Sequence, residues 1–62
     1  MKLEDIISMY GKYADYQDPH TGYIYHISQM GEPDENGNQV VPVSENGIVI
    51  KTVTVNARNI RD

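Results

Sequence analysis

Three reverse-turn signals constrain this chain more than any other feature: Asp18-Pro19-His20-Thr21-Gly22, Asn36-Gly37 and Asn46-Gly47. Asn-Gly tolerates positive φ at both central residues of a tight hairpin turn, the geometry whose twist matches the flanking strands. Pro19 presets φ for the first central position of a turn, and Gly22 supplies backbone freedom at its exit. Each signal separates segments that read as β-strands, so the chain is expected to fold as an antiparallel meander.

A helix precedes that meander. Leu3, Ile6, Ile7 and Tyr10 recur at helical spacing, with Glu4 and Asp5 in the first turn and Gly11 as a natural stop. This predicts a short helix over residues 2–10 docked on the sheet. Strands are expected over residues 12–17, 23–30, 39–43 and 48–57. For 12–17 the alternative is a continued helix with Tyr10, Tyr13 and Tyr16 along one ridge, which Gly11 weakens by about 1 kcal/mol relative to alanine. Pro42 has no N–H and points to an edge position or to a slot without a ladder bond. In the last strand Ile48 and Ile50 alternate on one face, whereas Val53, Val55 and Ala57 alternate on the other. A side-chain period of two cannot change parity in a flat strand, so a bulge or bend is expected near Lys51. The tail is expected to turn once and bring Ile60 to the edge of the core.

The expected fold is therefore mainly β, a small α+β unit with one N-terminal helix and three or four antiparallel strands, forming a single domain over residues 1–62. Hairpins joined to one long bent strand resemble SH3-like small barrels in general architecture. The resemblance implies a partly open barrel and carries no function.

Size and charge narrow the function classes. A domain this small buries about 60% of the surface its unfolded chain exposes. Cysteine is absent, which excludes disulfide staples and thiolate metal sites. No run of about 20 apolar residues occurs, and the acidic start Met1–Ile7 lacks the basic region of a signal peptide, so a cytoplasmic chain without a membrane span is expected. The net charge of −4 argues against binding driven by phosphates or anionic lipid. Residues 1–45 hold eight acids and two bases, whereas residues 46–62 hold one acid and three bases, a polarity that would orient head-to-tail self-association.

Candidate chemistry is sparse. The five tyrosines, Tyr10, Tyr13, Tyr16, Tyr23 and Tyr25, are the only aromatics and fall within sixteen consecutive residues. Tyrosine joins a large apolar ring to a polar tip, which suits protein interfaces and grooves that take proline-rich peptides. His20 and His26 have no serine or cysteine partner in a recognisable triad and no zinc spacing. Asp34, Asn36, Asn38 and Glu45 match parts of a calcium-loop template, but Gln39 stands where that loop needs glycine. Lys51, Arg58 and Arg61 form a thin basic strip for nucleic acid. Glu32, Asp34, Glu35 and Glu45 with Asp15 and Asp18 are too few for a strong imitation of a nucleic-acid backbone. No phosphate loop or nucleophile elbow is present, and the chain is short for a concave catalytic pocket.

The reading that follows is a stand-alone acidic interaction module, adaptor or inhibitor, and not an enzyme. It is expected to bind a protein partner through Tyr13, Tyr16, Tyr23 and Tyr25 with Asp15 and Asp18, aided by an exposed strand edge near Pro42. No cofactor and no metal is expected. A self-assembling structural subunit and a nucleic-acid mimic or nucleic-acid-binding barrel are the alternatives. Phages and other mobile elements encode short acidic chains of this kind as host modulators, a base-rate expectation with no residue behind it.

Overall fold

The structure is a computed structural model that describes residues 2–60. Its helix α1, Leu3–Tyr10, carries Glu4 and Asp5 in the first turn and buries Ile7 completely. Gly11 ends it at φ 108°, donating its N–H to the Ile7 carbonyl at 2.8 Å. A side chain at that φ would be strained, which is why the apolar period stops there.

Four strands follow: β1 Tyr16–Gln17, β2 Ile24–Tyr25, β3 Asn38–Glu45 and β4 Ile48–Asn56. They form one antiparallel sheet in chain order, so the meander holds. Both residues of the Asn46-Gly47 turn have positive φ, 54° and 82°, which is the primed hairpin turn that Asn-Gly favours. Asp18 organises the first turn. Its carbonyl accepts the Gly22 N–H and its carboxylate accepts the His20 N–H, both at 2.8 Å. Before β3, Asp34 plays the same part for Asn36-Gly37, its Oδ1 accepting the N–H of Asn36 at 2.8 Å and of Asn38 at 2.9 Å.

The expected strands are corrected in two places. Of residues 12–17 only Tyr16–Gln17 pairs, because the chain turns at Gly11 before it reaches the sheet. The segment 23–30 is not one strand. After β2 it folds into a 3-10 turn, Ile27–Gln29, that drives Ile27 fully into the core. The Asp15 carboxylate holds this turn by accepting both the N–H and the hydroxyl of Ser28.

Register explains the two odd features of the hairpin β3–β4. The Ala57 N–H donates to the Gly37 carbonyl at 2.7 Å, so from Lys51 to Val55 odd-numbered β4 residues turn their backbone groups toward β3 and even-numbered ones turn them away. By the same alternation Pro42 turns its backbone nitrogen away from β4, and no bond of the β3–β4 ladder is lost. Its carbonyl accepts the His26 N–H at 2.9 Å, so the β3 edge near Pro42 is covered and not exposed. Val43 lies opposite Lys51 but Ser44 lies opposite Val49, leaving Ile50 as an extra residue. This is a β-bulge beside Lys51. It resets the parity, so Ile48, opposite Glu45, returns to the face of Val53 and Val55.

The core sits where α1 crosses the sheet: Ile7, Ile27, Val41 and Val55, with Leu3, Tyr16, Tyr25, Met30, Val53 and Ile60 packed around them. A second 3-10 turn, Ala57–Asn59, delivers Ile60 to that edge. The sheet does not close into a barrel. Its outer strands are β1 and β4, and the bulge bends the hairpin without bringing them together. Among the described residues no helix is long and apolar enough to cross a membrane.

Candidate functional site

Cross-strand partners share a sheet face. Tyr16 lies opposite Tyr25, Tyr25 opposite Val43, and Val43 opposite Lys51, so one row crosses all four strands. Tyr10, at the end of α1, stacks on Tyr16 with centroids 5.8 Å apart, and Tyr16 stacks on Tyr25 at 6.1 Å. Tyr23 has the parity of Tyr25, and the Lys51 ammonium sits 5.0 Å from its ring centroid. Such a cation–π contact is worth about 0.5–1 kcal/mol at an exposed position. Tyr10 is exposed, while Tyr16, Tyr23 and Tyr25 are half-buried, so each ring keeps part of its surface open to water. Partial burial pushes the Tyr16 phenol above its usual range, and the charge of Asp18 adds to the effect.

Three of the six residues predicted for the site, Tyr16, Tyr23 and Tyr25, lie along this row. Tyr13 stands apart at 82% exposure. It lines an open cleft of about 230 Å³ with Lys12, Met30, Glu32, Gln39 and Ile60. Asp18 is committed to its turn. Asp15 is committed to a polar clasp on the sheet's other face.

That clasp is what sequence reasoning missed. Asp15 Oδ2 lies 3.3 Å from His26 Nδ1, and His26 Nε2 lies 2.6 Å from Ser44 Oγ. A ring with its proton on Nδ1, facing the carboxylate, has Nε2 free to accept the Ser44 hydroxyl. The two donors of Ser28, hydroxyl first, hold the Asp15 carboxyl below its ordinary range. The order Asp–His–Ser is that of an acyl-transfer triad, yet Ser44 is only 3% exposed and has no open side for a substrate. The clasp instead ties β1, the Ile27–Gln29 turn and β3 together. The links span eleven, thirteen and eighteen residues, with no motif spacing to announce them.

The basic strip is dispersed. Lys51 is over Tyr23, the Arg58 chain lies against Gly37, and Arg61 falls outside the described residues. Among the described residues no cluster of three or more histidine, cysteine or acidic side chains could hold a metal ion. No protein-family model, no curated protein and no solved structure matches the chain.

Proposed function

We propose that this chain is a small protein-interaction module, adaptor or inhibitor, that docks a protein partner on the face built by Tyr10, Tyr16, Tyr23, Tyr25 and Lys51. The observation that carries the reading is the stacked ladder of rings, continued by Tyr23 under Lys51, at the border of the core that α1 covers. Rings already held in a stack lose little side-chain freedom on binding, which lowers the entropic cost of an interface. Aromatic grooves of this kind take proline-rich or extended segments, and the SH3-like reading of the meander belongs with that proposal. The buried Ser44 favours a non-catalytic role.

The test is capture of the partner from native cells with a tagged chain, repeated with Tyr23→Ala and Tyr16→Ala. Tyr23→Ala is expected to lose the partner while its circular dichroism stays that of the parent. A partner retained at full occupancy by both variants would overturn the aromatic-face reading.

A further inference from the structure

We propose that Asn46 is a site of spontaneous covalent modification by ring closure onto Gly47, and that the fold directs this reaction to the Asn46-Gly47 turn while withholding it from Asn36-Gly37. Water is the only co-reactant. The Gly47 backbone nitrogen attacks Cγ of Asn46 and the new N–Cγ bond closes a five-membered imide. The Asn46 side-chain nitrogen leaves as ammonia, carrying the proton that the Gly47 nitrogen gives up. Water then opens the ring. Cleavage at Cγ returns an ordinary aspartate, whereas cleavage at the main-chain carbonyl leaves the chain running through Cβ and Cγ as isoaspartate. Glycine on the attacking side puts no side chain in the way of closure.

The chain carries the same dipeptide twice, so sequence alone does not rank the two. The fold does. At the first, the attacking nitrogen is already engaged, since the Gly37 N–H donates to the Asp34 carbonyl at 2.9 Å. The Gly37 carbonyl accepts the Ala57 N–H at 2.7 Å. The Asn36 N–H is held by Asp34 Oδ1 at 2.8 Å, and the Asn36 carbonyl accepts from Asn56 Nδ2 at 3.3 Å. The space is filled as well: a Cβ on Gly37 would lie 3.4 Å from Asn56 Oδ1 and 3.5 Å from the Arg58 side chain. Rotating the Asn36 backbone toward the closed ring pulls against every one of these contacts.

At the second dipeptide they are missing. Among the described residues no hydrogen bond ends on the Gly47 N–H or on the Asn46 side chain. A Cβ on Gly47 would meet nothing within 4 Å, and every residue from Glu45 to Ile50 is exposed. What restrains Asn46 is the turn itself, which holds its φ at 54° and must open before the ring can close. Opening it releases the end pair of the hairpin, Glu45 opposite Ile48, with no buried side chain disturbed. Segments with few buried apolar contacts open at the least cost, so the tip reaches the reactive geometry far more often than the pinned Asn36. The products change the tip. Isoaspartate adds one main-chain atom to a two-residue turn whose geometry must match the twist of its strands. Either product adds one negative charge, beside Glu45, to the formal −4. The turn is thus a slow one-way timer that starts ordered and loosens the strand end bearing Ile48, Val49 and Ile50.

Incubation of the full chain in mildly alkaline buffer, with peptide mapping by mass spectrometry at intervals, tests this. In the urea-unfolded chain Asn36 and Asn46 should lose ammonia at closely similar rates. In the folded chain Asn46 is expected to react about tenfold faster than Asn36, or more. Asn46→Gln, whose longer side chain closes only a six-membered ring, is expected to abolish the early product, and Asn36→Gln should leave the Asn46 rate unaltered. Amide exchange reads the consequence. In the aged chain Glu45 and Ile48 should lose protection while the paired Val41 and Val53 keep theirs. Equal rates in the folded chain, reaction at Asn36 first, or an Asn46 that stays intact while the unfolded chain reacts to completion would overturn the assignment of the site. An aged chain whose Ile48 amide exchanges as in the fresh one would overturn the timer.

Discussion

The two ends of the β3–β4 hairpin are built from the same kinds of residue and meet opposite fates. At its base Val41 and Val55 are buried under Ile7 and Ile27. At its tip Ile48, Val49 and Ile50 are exposed. Hydropathy does not separate the two groups, and strand propensity does not either, since all are β-branched. What differs is cover. The base is roofed by α1 and pinned by Asn56, whose Nδ2 donates to the Asn38 side chain at 3.1 Å and whose Oδ1 accepts the Arg58 N–H at 2.9 Å. The tip passes the last contact of the helix and relies on its turn. An apolar run that the fold leaves in water signals a surface with a purpose more often than an accident.

The strongest way to break this comparison is to truncate one apolar residue at each end. Ile7→Ala removes a fully buried side chain and is expected to cost about 2–5 kcal/mol. A domain of this size has only a few kcal/mol of stability in total, so most of the variant should be unfolded at room temperature. Ile48→Ala, measured in dilute solution, should stay within about 0.5 kcal/mol of the parent. Urea titration followed by circular dichroism compares them directly. Equal losses would mean that the tip is part of the core after all.

A smaller effect is expected at two glycines. A Cβ on either Gly47 or Gly31 would meet no atom within 4 Å, but only Gly47 has positive φ, at 82°. Gly47→Ala therefore isolates backbone strain and should cost about 1 kcal/mol, as expected where alanine meets φ > 0. Gly31→Ala should be neutral or slightly stabilising. The hairpin tip is then shown to depend on its turn, as its base depends on packing.

Much of this was legible because it is local. Glycine and asparagine at turns, the stripe of α1 and the parity break beside Lys51 depend on near neighbours, and each maps onto a positive φ, a buried face or a bulge. Residues 23–30 were not legible, because the force that ends β2 comes from Asp15, thirteen residues before Ser28. The barrel expectation rested on the bend alone. A bulge accounts for that bend with the sheet still open. For the candidate site, clustered tyrosines marked the region, but only the register shows that Tyr16 and Tyr25 share a row while Tyr13 stands at the cleft. The part of Tyr10 in the stack lay hidden because its spacing also fits the helix stripe.

The mildest test contrasts the two polar clasps. The one at Asn56 holds the hairpin base through the side-chain amides of Asn38 and Asn56, which do not titrate, whereas the one at Asp15 holds β1 and the Ile27–Gln29 turn with a carboxylate. The Ser28 donors lower the Asp15 pKa in the folded chain. The unfolded chain therefore binds that proton more readily, and the stabilisation is complete above the ordinary carboxyl range. It is lost as pH falls through the lowered folded value. Asp15 is partly open to solvent, 41% at the side chain, so water screens the effect and the loss is a modest one. Followed by NMR from neutral pH down to about pH 2, the Ser28 amide should shift with the titration of Asp15 while the Arg58 amide, bound to Asn56, shows no matching step. Asp15→Asn keeps an oxygen for Ser28 but removes the charge, and it should abolish that step. A parent-like acid transition at Ser28 in the variant would assign the loosening to another carboxylate and leave the Asp15 clasp without a pH role.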